Sequence, residues 1–208
     1  MADQLNKQLR EAYDRKVEER DRQALAPWKI EERQSFLSLL RKHDKTRLLD
    51  IGAGPGTHAK FFQDSGLQVT CTDLSPAMVK RCRQKGLTAY VMDFLSLDFP
   101  AASFEAVFAM NCLLHLPPED LPGALRILAR LLAPDGFFYW GQYGGPNRAG
   151  VWPKDHYRPQ RYFSFLPDAV MHEVAAEHFA VHSFRTIAPE PDPEIYYQAM
   201  ILRPKGLA

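Results

Sequence analysis

The stretch Leu48-Leu49-Asp50-Ile51-Gly52-Ala53-Gly54-Pro55-Gly56-Thr57 decides the fold. An apolar strand runs straight into three glycines within five positions, and a helical pattern follows. Glycine serves where the backbone must take a positive φ, or where a ligand must approach without a Cβ in the way. The helix start beyond it offers unpaired N–H groups. The spacing narrows the ligand. A dinucleotide fingerprint, G-x-G-x-x-G, would place its third glycine one position later, where Thr57 stands, and the Gly-Lys-Ser/Thr ending of a phosphate loop is absent. With Asp50 just ahead of the turn, a ligand carrying an ammonium is better matched than a pyrophosphate.

Outward from the loop, short apolar runs alternate with amphipathic segments, the pattern of βαβ units. Strands are predicted near 47–51, 68–72, 88–92, 104–110 and 136–143. Ser75 and Pro76 open a helix that Gly86 closes, and Leu121, Leu125, Leu128 and Leu132 mark another before a Pro134-Asp135-Gly136 turn. After a helix over about 167–178, runs 179–188 and 194–202 are joined only by a proline-rich connection, so they should pair antiparallel. Upstream, residues 1–45 read as two helices split by Pro27, with eleven basic and nine acidic residues intermixed as on a solvated face. They form a helical cap on a domain over 46–208, the whole being one compact unit.

Two more carboxylates stand at strand ends. Asp73 ends the second strand, where it can accept from both hydroxyls of a ribose, and Asp93 ends the third, where it can accept from an exocyclic amine while Phe94 packs on a purine. In an open parallel sheet Asp50, Asp73 and Asp93 converge on one crevice. Singly, each is as readily a turn or cap residue; three at successive strand ends fit a ligand better.

LLDIGAGPGT, CTDLSPAMV, YVMDFLSLDF and FEAVFAMNCLLHLP, in that order, resemble the successive motifs of class I S-adenosylmethionine-dependent methyltransferases, from about Leu48 to Trp140. The resemblance implies an α/β, Rossmann-like, seven-stranded, mostly parallel sheet with an antiparallel last strand and helices on both faces. It implies S-adenosylmethionine as cofactor, leaving S-adenosylhomocysteine as product. Gly52, Ala53, Gly54 and Gly56 would line its methionine portion, Asp73 with Leu74 its ribose, and Asp93 with Phe94 its adenine. Met78 is grouped with these contacts. Asn111 and Cys112 would lie near the sulfur, and Tyr13 would close over the cofactor. The run Asn111-Cys112-Leu113-Leu114 is neither the N-P-P-Y type of amino-methylating enzymes nor the Pro-Cys setting of cytosine C5 enzymes.

A methyl group already activated on a sulfonium needs in-line positioning and exclusion of water, with no metal. His178 and His182 straddle a helix-to-strand change, so they make no metal site. Acceptor contacts are expected from the segment after the fifth strand: Tyr143, Trp152, Tyr157, Arg161 and Phe163, with 146–158 as a lid or simply an aromatic loop pinned to the core. His115 and His156 are the candidate general bases, although such a histidine more often orients a loop.

The net charge of +1 supports neither nucleic-acid nor membrane binding, and three cysteines without C-x-x-C spacing suit a reducing, cytoplasmic setting. Transfer to a small-molecule O, N or S acceptor by a monomer or homodimer is the expectation. The alternatives are a nucleotide-cofactor oxidoreductase, a cofactor-binding protein without turnover, or methylation of a protein or RNA.

Overall fold

The computed structural model describes residues 2–188 and 194–205. Three helices, α1 (Ala2–Asp14), α2 (Val17–Arg22) and α3 (Pro27–Lys42), precede β1 (Arg47–Ile51). Then follow α4 (Thr57–Asp64), β2 (Gln68–Asp73), α5 (Pro76–Gln84), β3 (Thr88–Val91), β4 (Phe104–Met110), a 3-10 turn (Leu113–His115) and α6 (Leu121–Leu131). The chain continues through β5 (Leu132–Gly144), β6 (Arg148–Val151), β7 (Tyr162–Phe165), α7 (Asp168–Ala176), β8 (Phe179–Ile187) and β9 (Tyr196–Pro204).

Seven strands form one sheet in the order β3-β2-β1-β4-β5-β9-β8. Pairing is parallel from β3 to β5, while β9 runs antiparallel to both β5 and β8. This is the Rossmann-like α/β sheet expected from the strand pattern. The 179–202 pair forms as read; the proline-rich connection at 189–193 lies outside the described residues.

Each face of the sheet carries its own core. On one, Leu121, Leu125 and Leu128 of α6, four and three apart, pack with Met171 and Ala175 of α7 against Val107, Phe138 and Trp140. On the other, Phe36 and Leu40 of α3, Phe62 of α4 and Val79 of α5 cover Leu48, Phe108 and Tyr139. The Phe108 ring stacks on Tyr139 at 4.8 Å between centroids and meets Phe62 edge-on at 5.1 Å. Among the described residues no helix is long and apolar enough to cross a membrane.

Three expectations change. The first helix does not run on through Val17: α2 starts afresh, buries no residue, and is held to α5 by ion pairs of Arg81 with Glu18 and Asp21 and of Lys85 with Asp21. Its charge-dense sequence has no apolar stripe to keep it straight, so the break follows what it pairs with. Pro134-Asp135-Gly136 lies inside β5, as a register shift opposite Phe104 to Ala106, rather than in a separate turn. Finally, the segment read as irregular to about 160 contains β6, which pairs with β7 as an antiparallel ribbon. Pro153, Pro159 and the glycines at 144–145 hide its four-residue strands.

Because Phe108 is fully buried among Phe36, Phe62 and Tyr139, Phe108→Ala should lower stability by about 3–5 kcal/mol in urea unfolding. A loss under about 1 kcal/mol would show that this face is not tightly packed.

Candidate active site

The crevice opens at the carboxyl ends of β1, β2 and β4, where the chain crosses from one side of β1 to the other. Asp73 organises it. Its Oδ2 accepts from the Gly54 N–H at 2.8 Å and its Oδ1 from the Ser75 N–H at 2.9 Å, so one carboxylate ties the glycine loop to the start of α5. Ser75 Oγ in turn accepts from the Met78 N–H at 3.1 Å and caps that helix.

The three loop glycines have different duties. All have positive φ. A Cβ on Gly52 would stand 2.4 Å from Cys112 Cβ, and one on Gly56 2.6 Å from Leu87 Cδ1, so these two let the loop pack. A Cβ on Gly54 would find only Arg20 Nη2, at 4.0 Å, so Gly54 borders open space.

A narrow cleft of about 50 Å³ runs past Gly52, Gly54, Asp73, Leu74, Phe94, Asn111 and Cys112. A smaller recess beside it includes Asp93, whose carboxylate accepts from the Asn6 amide of α1 and from the Leu95 N–H at 2.7 Å. The cleft joins a cavity of about 490 Å³. Tyr13, Arg20, Gly52, Met110, Asn111 and His115 line both spaces, which makes them the junction. Tyr143, Trp152, Arg161 and Phe163 line the larger cavity, as does Ala53.

The remaining candidates lie off these walls. Met78 is fully buried under α5, Gly56 packs on Leu87, and Tyr157 is buried behind Tyr13 and under the Arg161 guanidinium, 3.6 Å from its ring centroid. His156 is exposed and leans at a tilt against the Tyr157 ring, 4.9 Å between centroids. Asp50 is buried below the loop.

At the junction, polar groups are either chained together or left waiting. Asp155 holds Arg161 through Nε at 3.0 Å and Nη2 at 2.8 Å, a paired fork. Arg161 Nη1 donates to Tyr13 Oη at 3.0 Å, and Tyr13 stands 2.7 Å from His115 Nε2. His115 Nδ1, 2.8 Å from the Tyr162 carbonyl, must donate there, so Nε2 accepts from the Tyr13 hydroxyl. Burial, then Arg161, lowers the His115 pKa to about 3. Burial likewise keeps the Tyr13 phenol above its ordinary value, hence neutral. Asn111 takes a left-handed φ of 57°, and its buried Oδ1 has no partner, nor has Asp50 Oδ2. Burial, and then the nearby Asp73, raises Asp50 well above the carboxylate range; burial also raises Asp73.

Several lining residues were missed in the sequence. Arg20 and Lys29 sit in the charge-mixed stretch that reads as solvated, and Asp155 shows its role only once β7 brings Arg161 back beside it. His58, the second residue of α4, lines the larger cavity and had a usable signal in directly following the glycine loop. Its pKa is pushed down to about 3, first by burial and then by Arg33, Lys29 and Arg20.

Residues 48–136 match the sequence profile of a family described as a methyltransferase domain. Over these residues the chain is similar to methyltransferase domains. It is 33% identical over 144 residues to a malonyl-[acyl-carrier protein] O-methyltransferase of Halorhodospira halophila, covering 65% of this chain and 48% of that protein. A ubiquinone biosynthesis O-methyltransferase of Xanthomonas oryzae pv. oryzae is 40% identical over 97 residues, 43% of this chain and 40% of the relative. The chain therefore spans about half the length of the curated relatives it matches, or less. Among solved structures, the chain superposes on Burkholderia thailandensis 1,6-didemethyltoxoflavin-N1-methyltransferase with bound S-adenosylhomocysteine. That match has a TM-score of 0.71 at 22% identity, covering 94% of this chain and 87% of the other. Magnesium protoporphyrin IX methyltransferase of Synechocystis with bound SAM gives 0.69 at 16% identity, covering 96% and 97%.

The two buried histidines give a pH test. Both have folded-state pKa values near 3 against an ordinary 6.5, so below pH 6.5 the unfolded chain takes up protons that the native one refuses. Their contribution to stability falls as pH drops from 6.5 towards 3, by up to about 1.4 kcal/mol per pH unit for each. Asp50 and Asp73, raised in the fold, act in the opposite direction, so site-resolved NMR is the better measurement. The His58 and His115 rings should stay neutral at pH 5; titration of either near 6.5 would contradict the burial described.

Proposed function

We propose that this chain is an enzyme that moves the methyl group of S-adenosylmethionine to a small-molecule acceptor by in-line displacement. The observation that carries the reading is the junction: six residues shared by a narrow cleft floored by Asp73 and a large aromatic cavity, so that two ligands would meet there.

The residues fit the cofactor. Asp50 and Asp73 are carboxylates raised chiefly by burial, a setting that a cationic ligand relieves. Gly54 leaves free the volume a Cβ would fill, and Arg20 beside it is placed for the methionine carboxylate. Asp73 with Leu74 takes the ribose, Asp93 and Phe94 the adenine, and Asn111, with its unpartnered Oδ1, lies next to the reacting sulfur. When bound, the cofactor supplies a methyl group already activated on a sulfonium.

The protein's own work is positioning and exclusion of water. Tyr13, fixed by Arg161 and His115, closes the junction from the α1 side, and the β6–β7 ribbon brings Trp152, Arg161 and Phe163 over the acceptor. His115 acts as a positioning group, since both ring nitrogens are engaged and its pKa is low; His156 stands too far out to serve as a base. The cap, residues 1–45, and residues 46–208 work as one unit, because α1 and α2 supply Tyr13 and Arg20 to the site. The names of the relatives favour an oxygen acceptor.

Calorimetric titration with S-adenosylmethionine and S-adenosylhomocysteine should show micromolar binding. Asp73→Asn, which loses charge-assisted bonds, should weaken it by about tenfold or more. Binding of NADH in place of either sulfur compound would overturn the proposal.

A further inference from the structure

Acidic side chains are confined to one side of the junction. Asp73 faces the cleft and Asp93 the recess beside it, whereas no Asp or Glu stands among the described residues lining the larger cavity. That cavity instead holds Arg20, Lys29 and Arg161. The three are not equivalent. Arg161 is already neutralised by its fork on Asp155. Arg20 stands at the cleft mouth beside Gly54. Lys29 remains: among the described residues its ammonium makes no ion pair, and the partner the structure records for it is the Trp28 ring, 5.3 Å from the centroid. Burial, then Arg20, lowers its pKa, so the charged form is held at a cost that an arriving anion would offset.

We infer that the acceptor is a small organic acid with an apolar body, and that Lys29 anchors its carboxylate. This rests on the methyltransferase reading in taking the larger cavity as the acceptor's place. The walls argue for the body: Tyr143, Trp152, Phe163, Phe165 and Leu114 surround the space with aromatic and aliphatic surface. The single ammonium argues for the anion. A phosphate, with more charge and more oxygens, is matched by several donors or a free guanidinium fork; the Arg161 fork is taken by Asp155, and Arg20 stands at the cleft mouth beside Gly54, where the proposed reading gives it to the methionine carboxylate. A monovalent carboxylate matches one ammonium. A cationic or neutral polar acceptor would leave the half-buried Lys29 without an ionic partner. Lys29 is thereby a specificity-determining residue, set on α3 two positions after Pro27 fixes the start of the helix.

The test uses the full chain saturated with S-adenosylhomocysteine and two matched probe pairs, naphthylacetate with naphthylacetamide and phenylbutyrate with phenylbutyramide, titrated by calorimetry. Each acid should bind about ten- to a hundredfold more tightly than its amide. Lys29→Met should abolish that difference while leaving S-adenosylhomocysteine affinity unchanged, and Lys29→Arg should retain most of it. An amide binding as well as its acid, a preference that survives in Lys29→Met, or no binding of any acid would overturn the inference. Failure of the protein to bind S-adenosylhomocysteine, with the Lys29-dependent acid preference intact in the unliganded protein, would instead remove the methyltransferase reading and leave the acid site standing.

Discussion

The architecture of the site hangs on one carboxylate. Asp73 ends a buried strand and gives one oxygen to the Gly54 N–H and the other to the Ser75 N–H. Those bonds hold the glycine loop open on its ligand side and set the first turn of α5. Each oxygen keeps a further lone pair, so the group that builds the cleft can also receive hydroxyls within it. Around it, tight packing leaves the loop little freedom: Cys112 presses on Gly52, and Cys82 and Leu87 press on Gly56. Only Gly54 looks onto space.

Electrostatics then divides the crevice. Carboxylates gather where the parallel strands end, and the cations come from elsewhere: Arg20 from α2, Lys29 from α3, Arg161 from the β6–β7 ribbon. On the proposed reading, the parallel core supplies the carboxylates of the cofactor site, and the added elements supply the cations of the junction and the larger cavity. The chain from Asp155 through Arg161 and Tyr13 to His115 joins these additions to one another across the junction. It couples the placement of α1 to that of the ribbon, although 148 positions separate Tyr13 from Arg161.

The cofactor half was legible in the sequence because its signals are local. A strand, a glycine turn and a helix cap lie within consecutive residues, and the acids fall at strand ends that periodicity alone can place. Gly52, Asp73 and Phe94, which line the cleft, could be picked out in this way, whereas Asp50 lies buried below the loop. The acceptor half was legible only as a set of aromatic residues. The break between α1 and α2 depends on ion pairs to α5, the ribbon on pairing across a proline-containing loop, and the exposure of His156 against the burial of Tyr157 on which side of Tyr13 each one falls. None of these is a property of neighbouring residues. Lys29 looked like any solvated lysine because the absence of a nearby carboxylate appears only after folding.

The position of the cofactor decides the division of the crevice, and a crystal structure of the S-adenosylhomocysteine complex measures it directly. It should show the ribose hydroxyls on Asp73, the adenine between Leu74 and Phe94, and the sulfur beside Asn111, facing the larger cavity. Cofactor density in the aromatic cavity with the Asp73 cleft unfilled would contradict it.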